Sequence, residues 1–399
     1  MSPTLMNGKT NAVAADTPIR VFFCCTGLGA VNRGFETFFR EAFDELKTDP
    51  KIEALLIKGA KQDHTGSQRT PDEHAIRFFS RTGKIATAIG RLTGRSAYAV
   101  EQWSSFPAVV RQIRKFHPAV VFYSEANLGF LLHRFRRQIG VPYRLLFSNG
   151  GPCHPPFTQY DFVHQVAPVY HQEAIHFGEP PAKHFLVPYG IKVPSSPFPD
   201  ADAKRRLRST LNLPLNRPIV LSVGWISKHH KRMDFVIEEI ARMSGPRPFL
   251  QLLGSTDSQS NEIITLANER LGSDNYSVLS LPKESVHDYY QASDAFVLAS
   301  LSEGFGRVYI ESLMHGLPTI AHRNEVTEYV LSDVGTLIDL TKPGQLAAQL
   351  SEELGKTPVS SFEEMSRRRN SIVRRFSWDA LRTSYIDMFR SVASTFTHS

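Results

Sequence analysis

Long apolar runs are missing from this chain of 399 residues. Because no stretch reaches the roughly 18 consecutive apolar residues that a bilayer requires, a transmembrane helix is excluded. Residues 1–18 lack the apolar region of a signal peptide, so we expect a loose tail there. The three cysteines are too few for a disulfide framework, and Cys24 and Cys25 lie within an apolar stretch. This usage favours a reducing, cytoplasmic compartment.

Motifs for metals and for the common phosphate loops are missing as well. The pair His171 and His176 does not have the H-E-x-x-H spacing, and no Cys/His spacing fits zinc. The first glycine-containing loop, residues 26–36, is not a dinucleotide fingerprint, because Asn32 stands at its third glycine position. It is not a P-loop either, since no Lys follows Gly34. The sequence therefore predicts neither a metal site nor a bound cofactor.

Positive charge is unevenly distributed along the chain. The net charge is +7, from 46 Lys and Arg against 39 Asp and Glu. Residues 1–195 hold 23 basic and 15 acidic side chains, whereas residues 196–399 hold 23 and 24. Either solvated helix faces or an anionic partner, such as a membrane surface, explain this excess. Nucleic acid is not a predicted partner, because no recognised binding motif accompanies the charge.

Short apolar stretches alternate with helix-period segments, which is typical of βαβ units and parallel sheets. Strands are predicted in the first half at residues 19–26, 52–58, 119–124 and 143–148, with helices at 34–47 and 128–138. Strands are predicted in the second half at residues 218–225, 249–253, 276–279, 295–298, 318–321 and 336–340. Helices are predicted there at residues 232–242, 263–271, 285–291, 306–315 and 344–354.

A Pro- and Ser-rich segment divides the two alternating regions and is interpreted as a linker, residues 192–202. We therefore predict an α/β fold with two Rossmann-like, doubly wound domains, residues 19–195 and 196–375. The segment 376–399 is predicted to be a helix that packs back towards the N-terminal domain. Ligands of such sheets bind beyond the carboxyl ends of the strands, so we expect the site in a cleft between the domains.

The most informative motif is residues 302–313, S-E-G-F-G-R-V-Y-I-E-S-L, which follows a predicted strand and opens a helix. Gly304 and Gly306 allow backbone amides to approach a ligand closely, and the helix start favours an anion. Two carboxylates flank this feature, Glu303 in the loop and Glu311 more than one turn inside the helix. We expect them to contact different parts of one extended ligand.

These residues resemble a known family. Residues 303–311 match the E-x7-E motif of the retaining family-4-type glycosyltransferases, glycosyl transferases group 1, which have the GT-B fold. The similarity extends to residues 289–300 and to Gly-Leu-Pro at 316–318. Residues 188–191 and 376–378 are similar to the family's segment before the linker and to the start of its final helix. The resemblance covers nearly the whole chain and is strongest in the C-terminal half.

The resemblance implies roles for the motif residues. Glu303 would contact hydroxyls of the donor sugar and Glu311 would accept hydrogen bonds from the nucleotide ribose, as suits ionised carboxylates. Gly304, Phe305 and Gly306 would line the donor site.

Cations are needed for the diphosphate leaving group, because negative charge builds on it as the glycosidic bond breaks. In the segment that begins at Gly224, which we also assign to the donor site, Lys231 stands at the family's Lys position. Trp225 replaces the family's Arg, and Arg232 replaces a Gly. Either Lys228 or Arg232 supplies the second cation, or stabilisation of the leaving group is weaker.

Three candidates belong to the N-terminal half. Gly27 and Gly29 are similar to the glycine-containing donor–acceptor loop of the same transferases, or are ordinary turn glycines. His154 follows a strand where related enzymes place a His near the donor sugar, although a loop histidine without a role fits equally. Glu125 ends a strand and would also face the cleft, although an exposed loop acid is the favoured interpretation.

The resulting prediction is a metal-independent, retaining glycosyltransferase of the cytoplasm, with the acceptor largely in the N-terminal domain. The donor is a nucleotide-diphosphate sugar, and the acceptor is a saccharide or a lipid-linked one. Two alternatives stay open: a nucleotide-sugar-binding protein without turnover, suggested by Trp225, and a GT-B sugar-nucleotide epimerase. Peripheral contact with an anionic membrane is a further expectation.

Overall fold

A computed structural model describes residues 17–29, 31, 33–59, 71–257, 259–356 and 360–395. Most of the predicted tail, together with Ala30 and Asn32 of the first glycine loop, lies outside the described residues. The chain forms two compact units. Unit 1 contains the chain up to Gln165, His171–Val187 and the segment from Leu381, and unit 2 contains Val166–Tyr170 and Pro188–Ala380.

Unit 1 is built on a seven-stranded parallel sheet of order β3-β2-β1-β4-β5-β6-β7. Its strands are β1 Ile19–Cys25, β2 Ile52–Gly59, β3 Glu73–Ile76, β4 Val120–Tyr123, β5 Arg144–Asn149, β6 Phe162–Gln165 and β7 His184–Leu186. The helices up to this point are α1 Gly34–Leu46, α2 Lys84–Thr93, α3 Ala97–Phe116, α4 Ala126–Arg134, α5 Arg136–Ile139 and α6 Pro168–Phe177.

Unit 2 is built on a six-stranded parallel sheet of order β10-β9-β8-β11-β12-β13. Its strands are β8 Ile219–Val223, β9 Phe249–Leu253, β10 Tyr276–Leu279, β11 Ala295–Leu298, β12 Thr319–His322 and β13 Thr336–Ile338. The remaining helices are α7 Ala201–Thr210, α8 Met233–Arg242, α9 Ser260–Leu271, α10 Lys283–Ala292, α11 Arg307–Met314, α12 Glu325–Leu331, α13 Gln345–Leu354, α14 Phe362–Phe376 and α15 Trp378–Ser394.

Aromatic side chains dominate the core of unit 1. The central strand β1 is an almost uninterrupted apolar run, as expected for a parallel strand that is covered on both faces. Phe23 packs edge-on against Phe43, Phe122 and Phe389, with ring centroids 5.7–5.9 Å apart. Since Phe389 belongs to α15, the end of the chain contributes to the core of unit 1.

The two sheets have the same switch point. In unit 1, β1 lies between β2 and β4, and in unit 2, β8 lies between β9 and β11. The strand order therefore reverses between β1 and β4 and again between β8 and β11. In doubly wound sheets the loops that follow such strand pairs are the usual ligand-binding positions. Within the described ranges, no helix has the length and apolar character needed to cross a membrane.

Candidate functional site

Lys231 and Glu303 meet at the switch point of unit 2. Lys231 lies in the loop after β8, and Glu303 lies in the loop after β11. The Lys231 ammonium Nζ is 2.5 Å from Glu303 Oε1, and the two side chains are 15% and 10% exposed. The pair is thus largely buried, and the switch point holds a cation and a carboxylate together.

Packing within unit 2 holds the Glu303 loop in place. The Tyr170 hydroxyl donates a hydrogen bond to the Glu303 carbonyl oxygen at 2.9 Å. Phe305 is buried, with its ring centroid 5.4 Å from that of Tyr189 and 5.7 Å from that of Phe376. The side chain of Phe305 therefore anchors the loop, so that only its backbone is left to face a ligand.

Gly306 is the residue that starts helix α11. Its φ of +76° is left-handed, and a Cβ there would lie 2.5 Å from the ring of Tyr309. Both facts require glycine at this position. Among the described residues, no side chain caps the helix at Gly306. The positive end of the α11 dipole therefore favours an anion at this loop.

The stem of Lys231 lies against Gly224, the first residue after β8. A Cβ on Gly224 would be 3.3 Å from three carbons of the lysine side chain. Gly224 is in turn packed against Gly254, where a Cβ would lie 1.6 Å from the Gly224 carbonyl oxygen. Two glycines at the ends of neighbouring strands thus make room for the lysine to reach Glu303.

The other two predicted cations lie elsewhere. Arg232 donates hydrogen bonds to the carbonyl oxygens of Leu340 and Ala299 at 2.8 and 3.5 Å, and its guanidinium lies over Phe235. Lys228 is exposed and lines a groove of about 540 Å³ beside helices α8 and α9. The groove is acidic, being lined also by Asp234, Glu238, Glu262 and Glu269. Lys231 is therefore the predicted cation that the structure brings to Glu303.

Glu311, inside α11, has its own polar partners. Its Oε2 accepts a hydrogen bond from the Tyr290 hydroxyl at 3.2 Å, and its Oε1 is 4.0 Å from Arg307 Nε. Its side chain is one-fifth exposed, so the carboxylate remains accessible. Because a carboxylate offers about four acceptor positions, it can still accept bonds from a ligand.

Sequence reasoning did not single out Arg307 or Tyr290. Arg307 is buried at the start of α11 and donates a hydrogen bond to the Gly190 carbonyl oxygen at 2.7 Å. A charged residue between Gly306 and apolar positions is a signal that could have identified it. Tyr290 had no such signal, because it is separated from Glu311 by 21 positions.

Unit 1 carries a buried carboxylate at its own switch point. Glu125, directly after β4, is almost fully buried, so the prediction of an exposed loop acid is wrong. Its Oε1 accepts hydrogen bonds from the Thr26 amide at 2.7 Å and from the Thr26 hydroxyl at 3.1 Å. Burial raises the pKa of Glu125 to about 7, against the opposing effect of these bonds and of nearby Arg81.

The predicted glycine loop, with Gly27 and Gly29, lies beside further charged residues of unit 1. A Cβ on Gly27 would lie 2.5 Å from Glu36 Oε1 and 3.3 Å from an Arg81 nitrogen. The Arg81 guanidinium is paired with the buried carboxylate of Glu101. Gly29 has a positive φ of +83°. The loop that follows β1 is therefore held by carboxylates and a guanidinium beneath it.

His154 lies in unit 1, in the loop after β5. Its Nδ1 is 2.7 Å from Glu173 Oε1, and both side chains are exposed. The structure thus places His154 in a surface pair, and its role towards a donor sugar stays a prediction.

Residues 203–367 match the family model of the glycosyl transferases group 1. The similarity to that family is thus shown for this region of the chain. This region contains Lys231, Glu303 and Glu311, together with all six strands of unit 2. The recognition of group 1 glycosyltransferases from the E-x7-E motif is therefore confirmed.

Curated relatives match part of the chain. This chain is 25% identical over 186 residues to the lipopolysaccharide core biosynthesis glycosyltransferase LpsE of Rhizobium meliloti. The match covers 46% of this chain and 53% of that protein. The chain is 30% identical over 187 residues to the D-inositol 3-phosphate glycosyltransferase of Mycolicibacterium smegmatis, covering 45% and 42%. The chain thus spans about half the length of the curated relatives it matches.

Several solved structures match almost the whole chain in fold. A sucrose-phosphate synthase from Thermosynechococcus elongatus superposes with a TM-score of 0.73 at 18% identity, covering 94% of this chain and 100% of the other. HepE of Anabaena, in complex with UDP and glucose, superposes with a TM-score of 0.71 at 15% identity and the same coverage. The predicted α/β class with two Rossmann-like domains of the GT-B type is confirmed.

Proposed function

We propose that this protein is a retaining glycosyltransferase that moves a sugar from a nucleotide-diphosphate sugar to a saccharide or lipid-linked acceptor. The observation that carries the proposal is the meeting of Lys231 and Glu303 at 2.5 Å beside the uncapped start of α11. One ligand with an anionic part and a hydroxyl-bearing part fits this combination.

The donor would occupy the switch point of unit 2. Its diphosphate would take the place of Glu303 as the partner of Lys231. It would also accept hydrogen bonds from backbone amides at the start of α11. Glu303, released from the ammonium, would then accept hydrogen bonds from sugar hydroxyls. Glu311, which lies more than one helical turn further on, would accept them from the ribose. Donor binding therefore exchanges one ion pair for several charge-assisted contacts.

The reaction would proceed on one face of the sugar. The bond between the anomeric carbon and the diphosphate oxygen breaks, and a bond to the acceptor oxygen forms. The acceptor hydroxyl proton goes to the leaving diphosphate oxygen. Lys231 and the amides of α11 stabilise the charge that develops on the diphosphate, and this is the main contribution of the protein.

Metal independence is part of the proposal. Lys231 supplies the positive charge that a divalent ion would otherwise provide. Among the residues that the structure describes, no group of three or more His, Cys, Asp or Glu side chains is arranged to hold a metal ion. Activity should survive EDTA. A loss on chelation that Mg²⁺ or Mn²⁺ restores would contradict this part of the proposal.

Unit 1 would bind the acceptor at a membrane surface. Helix α2 exposes Ile85 by 58% and Leu92 by 88%, and their spacing of seven places them on one helical face. Residues 77–100 contain five Lys or Arg and no Asp or Glu. An exposed apolar face with basic flanks matches the surface of an anionic bilayer. The free cysteines Cys24, Cys25 and Cys153 agree with a cytoplasmic location on its inner face.

Release of nucleoside diphosphate is the decisive measurement. UDP-, GDP- and ADP-sugars are incubated with the protein, with and without a crude glycolipid and saccharide extract. Acceptor-dependent release supports transfer, whereas binding without release supports a binding protein. Conversion of the donor sugar without an acceptor would indicate an epimerase. The anomeric configuration of the product, read by NMR, then tests retention.

A further inference from the structure

The carboxylate assigned to the nucleotide ribose does not stand alone in unit 2. The Tyr290 hydroxyl, from α10, donates a hydrogen bond to Glu311 Oε2 at 3.2 Å. The ring of Tyr290 is buried, and burial together with the Glu311 charge raises the pKa of its hydroxyl well above the ordinary value. The hydroxyl therefore keeps its proton and acts as the donor of this bond.

A histidine fixes the orientation of the Tyr290 ring. The His315 ring stacks on it, with centroids 5.0 Å apart and planes inclined by 16°. His315 Nδ1 is 2.8 Å from the Glu311 carbonyl oxygen. His315 thus contacts both the backbone of Glu311 and the ring of Tyr290, whose hydroxyl binds the Glu311 side chain. The imidazole of His315 therefore holds Glu311 and Tyr290 together.

In the hydrogen bonds that link His315 to His287, Ser196 and Gln291, each donor and acceptor can be assigned. Burial lowers the pKa of His315 to about 4, so the ring is neutral and carries one proton. A carbonyl oxygen only accepts, so that proton is on Nδ1, and Nε2 must accept from His287 Nδ1 at 2.7 Å. His287 Nε2 then accepts from the Ser196 hydroxyl at 3.2 Å, which accepts from Gln291 Nε2 at 3.1 Å.

We propose that Tyr290 is a positioning residue that sets the affinity and ribose selectivity of the donor site by holding the Glu311 carboxylate in its binding orientation. This inference rests on the proposed function, because it requires the donor ribose at Glu311. The hydrogen bond from Tyr290 to Oε2 and the proximity of Arg307 to Oε1 restrain the orientation of the carboxylate. Its remaining lone pairs are presented to the ribose diol without a further loss of side-chain entropy on binding.

The test is a double-mutant cycle on the full chain. Tyr290→Phe, Glu311→Ala and the double variant are titrated with UDP, GDP and ADP, each in ribose and 2′-deoxyribose form. Tyr289→Phe is the matched control, because it removes a hydroxyl from the neighbouring buried residue of the same helix. Thermal unfolding of each variant is recorded alongside.

Tyr290→Phe should weaken binding of the preferred ribonucleoside diphosphate about tenfold, as expected for loss of a hydrogen bond to a charged group. Tyr289→Phe should change this affinity less than about twofold, as expected for a substitution outside the binding site. Tyr290→Phe should also reduce the preference for ribose over 2′-deoxyribose. That ratio is measured within one preparation, so partial loss of folded protein does not affect it.

The double variant separates positioning from general structural damage. If Tyr290 acts through Glu311, Tyr290→Phe has no further effect in the Glu311→Ala background. An equal loss in both backgrounds, or an unchanged ribose preference, would overturn the inference and leave the proposed function intact. If Glu311→Ala itself binds all the nucleotides like the wild type, the placement of the donor fails, and the inference fails with it.

Discussion

The two switch points place a carboxylate at equivalent positions and use it differently. In unit 2, Glu303 follows β11 and meets Lys231 from the loop after β8, and both side chains are partly exposed. In unit 1, Glu125 follows β4 and meets Thr26, directly after β1, in a buried setting. The carboxylate of unit 2 is paired with the Lys231 ammonium, and in the proposed function the donor diphosphate takes the place of this carboxylate. The carboxylate of unit 1 instead fixes the loop that follows β1.

Protonation is the physical difference between the two. The Thr26 hydroxyl is 3.1 Å from Glu125 Oε1 and 3.1 Å from Glu101 Oε1, but it has one proton to donate. That proton is therefore shared between the two carboxylates, and Glu101 has Arg81 as a further partner. Glu125, whose pKa burial raises to about 7, can carry a proton of its own near neutral pH. The titratable groups that interact electrostatically with Glu125 are Cys24, Cys25, Glu36, Tyr98 and Arg81.

The largest expected effect concerns the cation of unit 2. Lys231→Ala should lower kcat about 10²- to 10³-fold, because it removes a group aimed at the developing charge of the leaving group. Donor affinity should fall less than turnover does. Steady-state kinetics and donor titration measure the two separately.

Lys228→Ala is the matched control for Lys231→Ala. Lys228 is a basic residue of the same loop that faces the acidic groove beside α8 and α9. We expect its activity to stay within about twofold of the wild type. If Lys228→Ala or Arg232→Ala were as damaging as Lys231→Ala, that residue would supply the cation expected at Trp225.

The next effect compares the glycines of the two switch points. Gly254→Ala should lower the free energy of unfolding of unit 2 by about 3 kcal/mol, because the new Cβ meets the backbone carbonyl of Gly224. Gly27→Ala should cost unit 1 about 1 kcal/mol, since its Cβ meets the movable ends of Glu36 and Arg81. Thermal unfolding of both variants tests the order, and a milder effect of Gly254→Ala would contradict the close approach of the two glycines.

A smaller effect follows from the buried carboxylate of unit 1. The folded-state pKa of Glu125, about 7, lies above its ordinary value of 4.5. Folded protein therefore binds this proton more tightly than unfolded protein, and stability is lost as the pH rises from 4.5 through about 7. Glu125→Gln removes the free-energy cost of ionising this buried carboxylate. Its gain over the wild type should approach about 3 kcal/mol near pH 8 and vanish near pH 4.

Thermal unfolding across this pH range measures the gain. Glu53→Gln is the control for removal of a carboxylate, because Glu53 is half-exposed and pairs with Arg20 at the surface. Its effect should stay below about 1 kcal/mol at every pH. A Glu125→Gln variant whose difference from the wild type does not depend on pH would show that folding does not shift the pKa of Glu125.

The same contrast explains what the sequence could predict of the fold. All six strands of unit 2 were predicted, since each is an apolar run bounded by turn residues. In unit 1 the strands β3, β6 and β7 were missed. They are short, they lie towards the ends of the sheet, and they carry polar residues such as Glu73 and His164. Neighbouring strands rather than local sequence stabilise them.

The candidate site divides in the same way. Glu303, Glu311 and Lys231 belong to local motifs, and their positions could be inferred from the chain alone. The partners of these residues depend on the tertiary fold. Tyr290 is 21 positions from Glu311, and Thr26 is 99 positions from Glu125. No local pattern reports such contacts, which is why the burial of Glu125 was not predicted.

The smallest expected effect concerns the distribution of charge between the units. The excess of basic residues lies in residues 1–195, and helix α2 presents part of it beside exposed Ile85 and Leu92. If this surface attracts an anionic membrane or acceptor, the attraction should weaken as salt shortens the Debye length from about 10 Å at 0.1 M to about 3 Å at 1 M. The KM for acceptor should then rise a few-fold with salt, while the KM for donor changes less.

Liposome flotation tests the membrane form of this prediction. The protein should float with vesicles that contain anionic phosphatidylserine and remain behind with neutral phosphatidylcholine vesicles. Replacing Ile85 and Leu92 by Ser removes apolar area without changing charge, whereas Lys84→Gln with Arg91→Gln removes charge and keeps that area. Both variants should bind more weakly, because insertion and electrostatic attraction contribute separately. If both variants float like the wild type, or if the wild type does not float with anionic vesicles, the basic residues of α2 form only a solvated face.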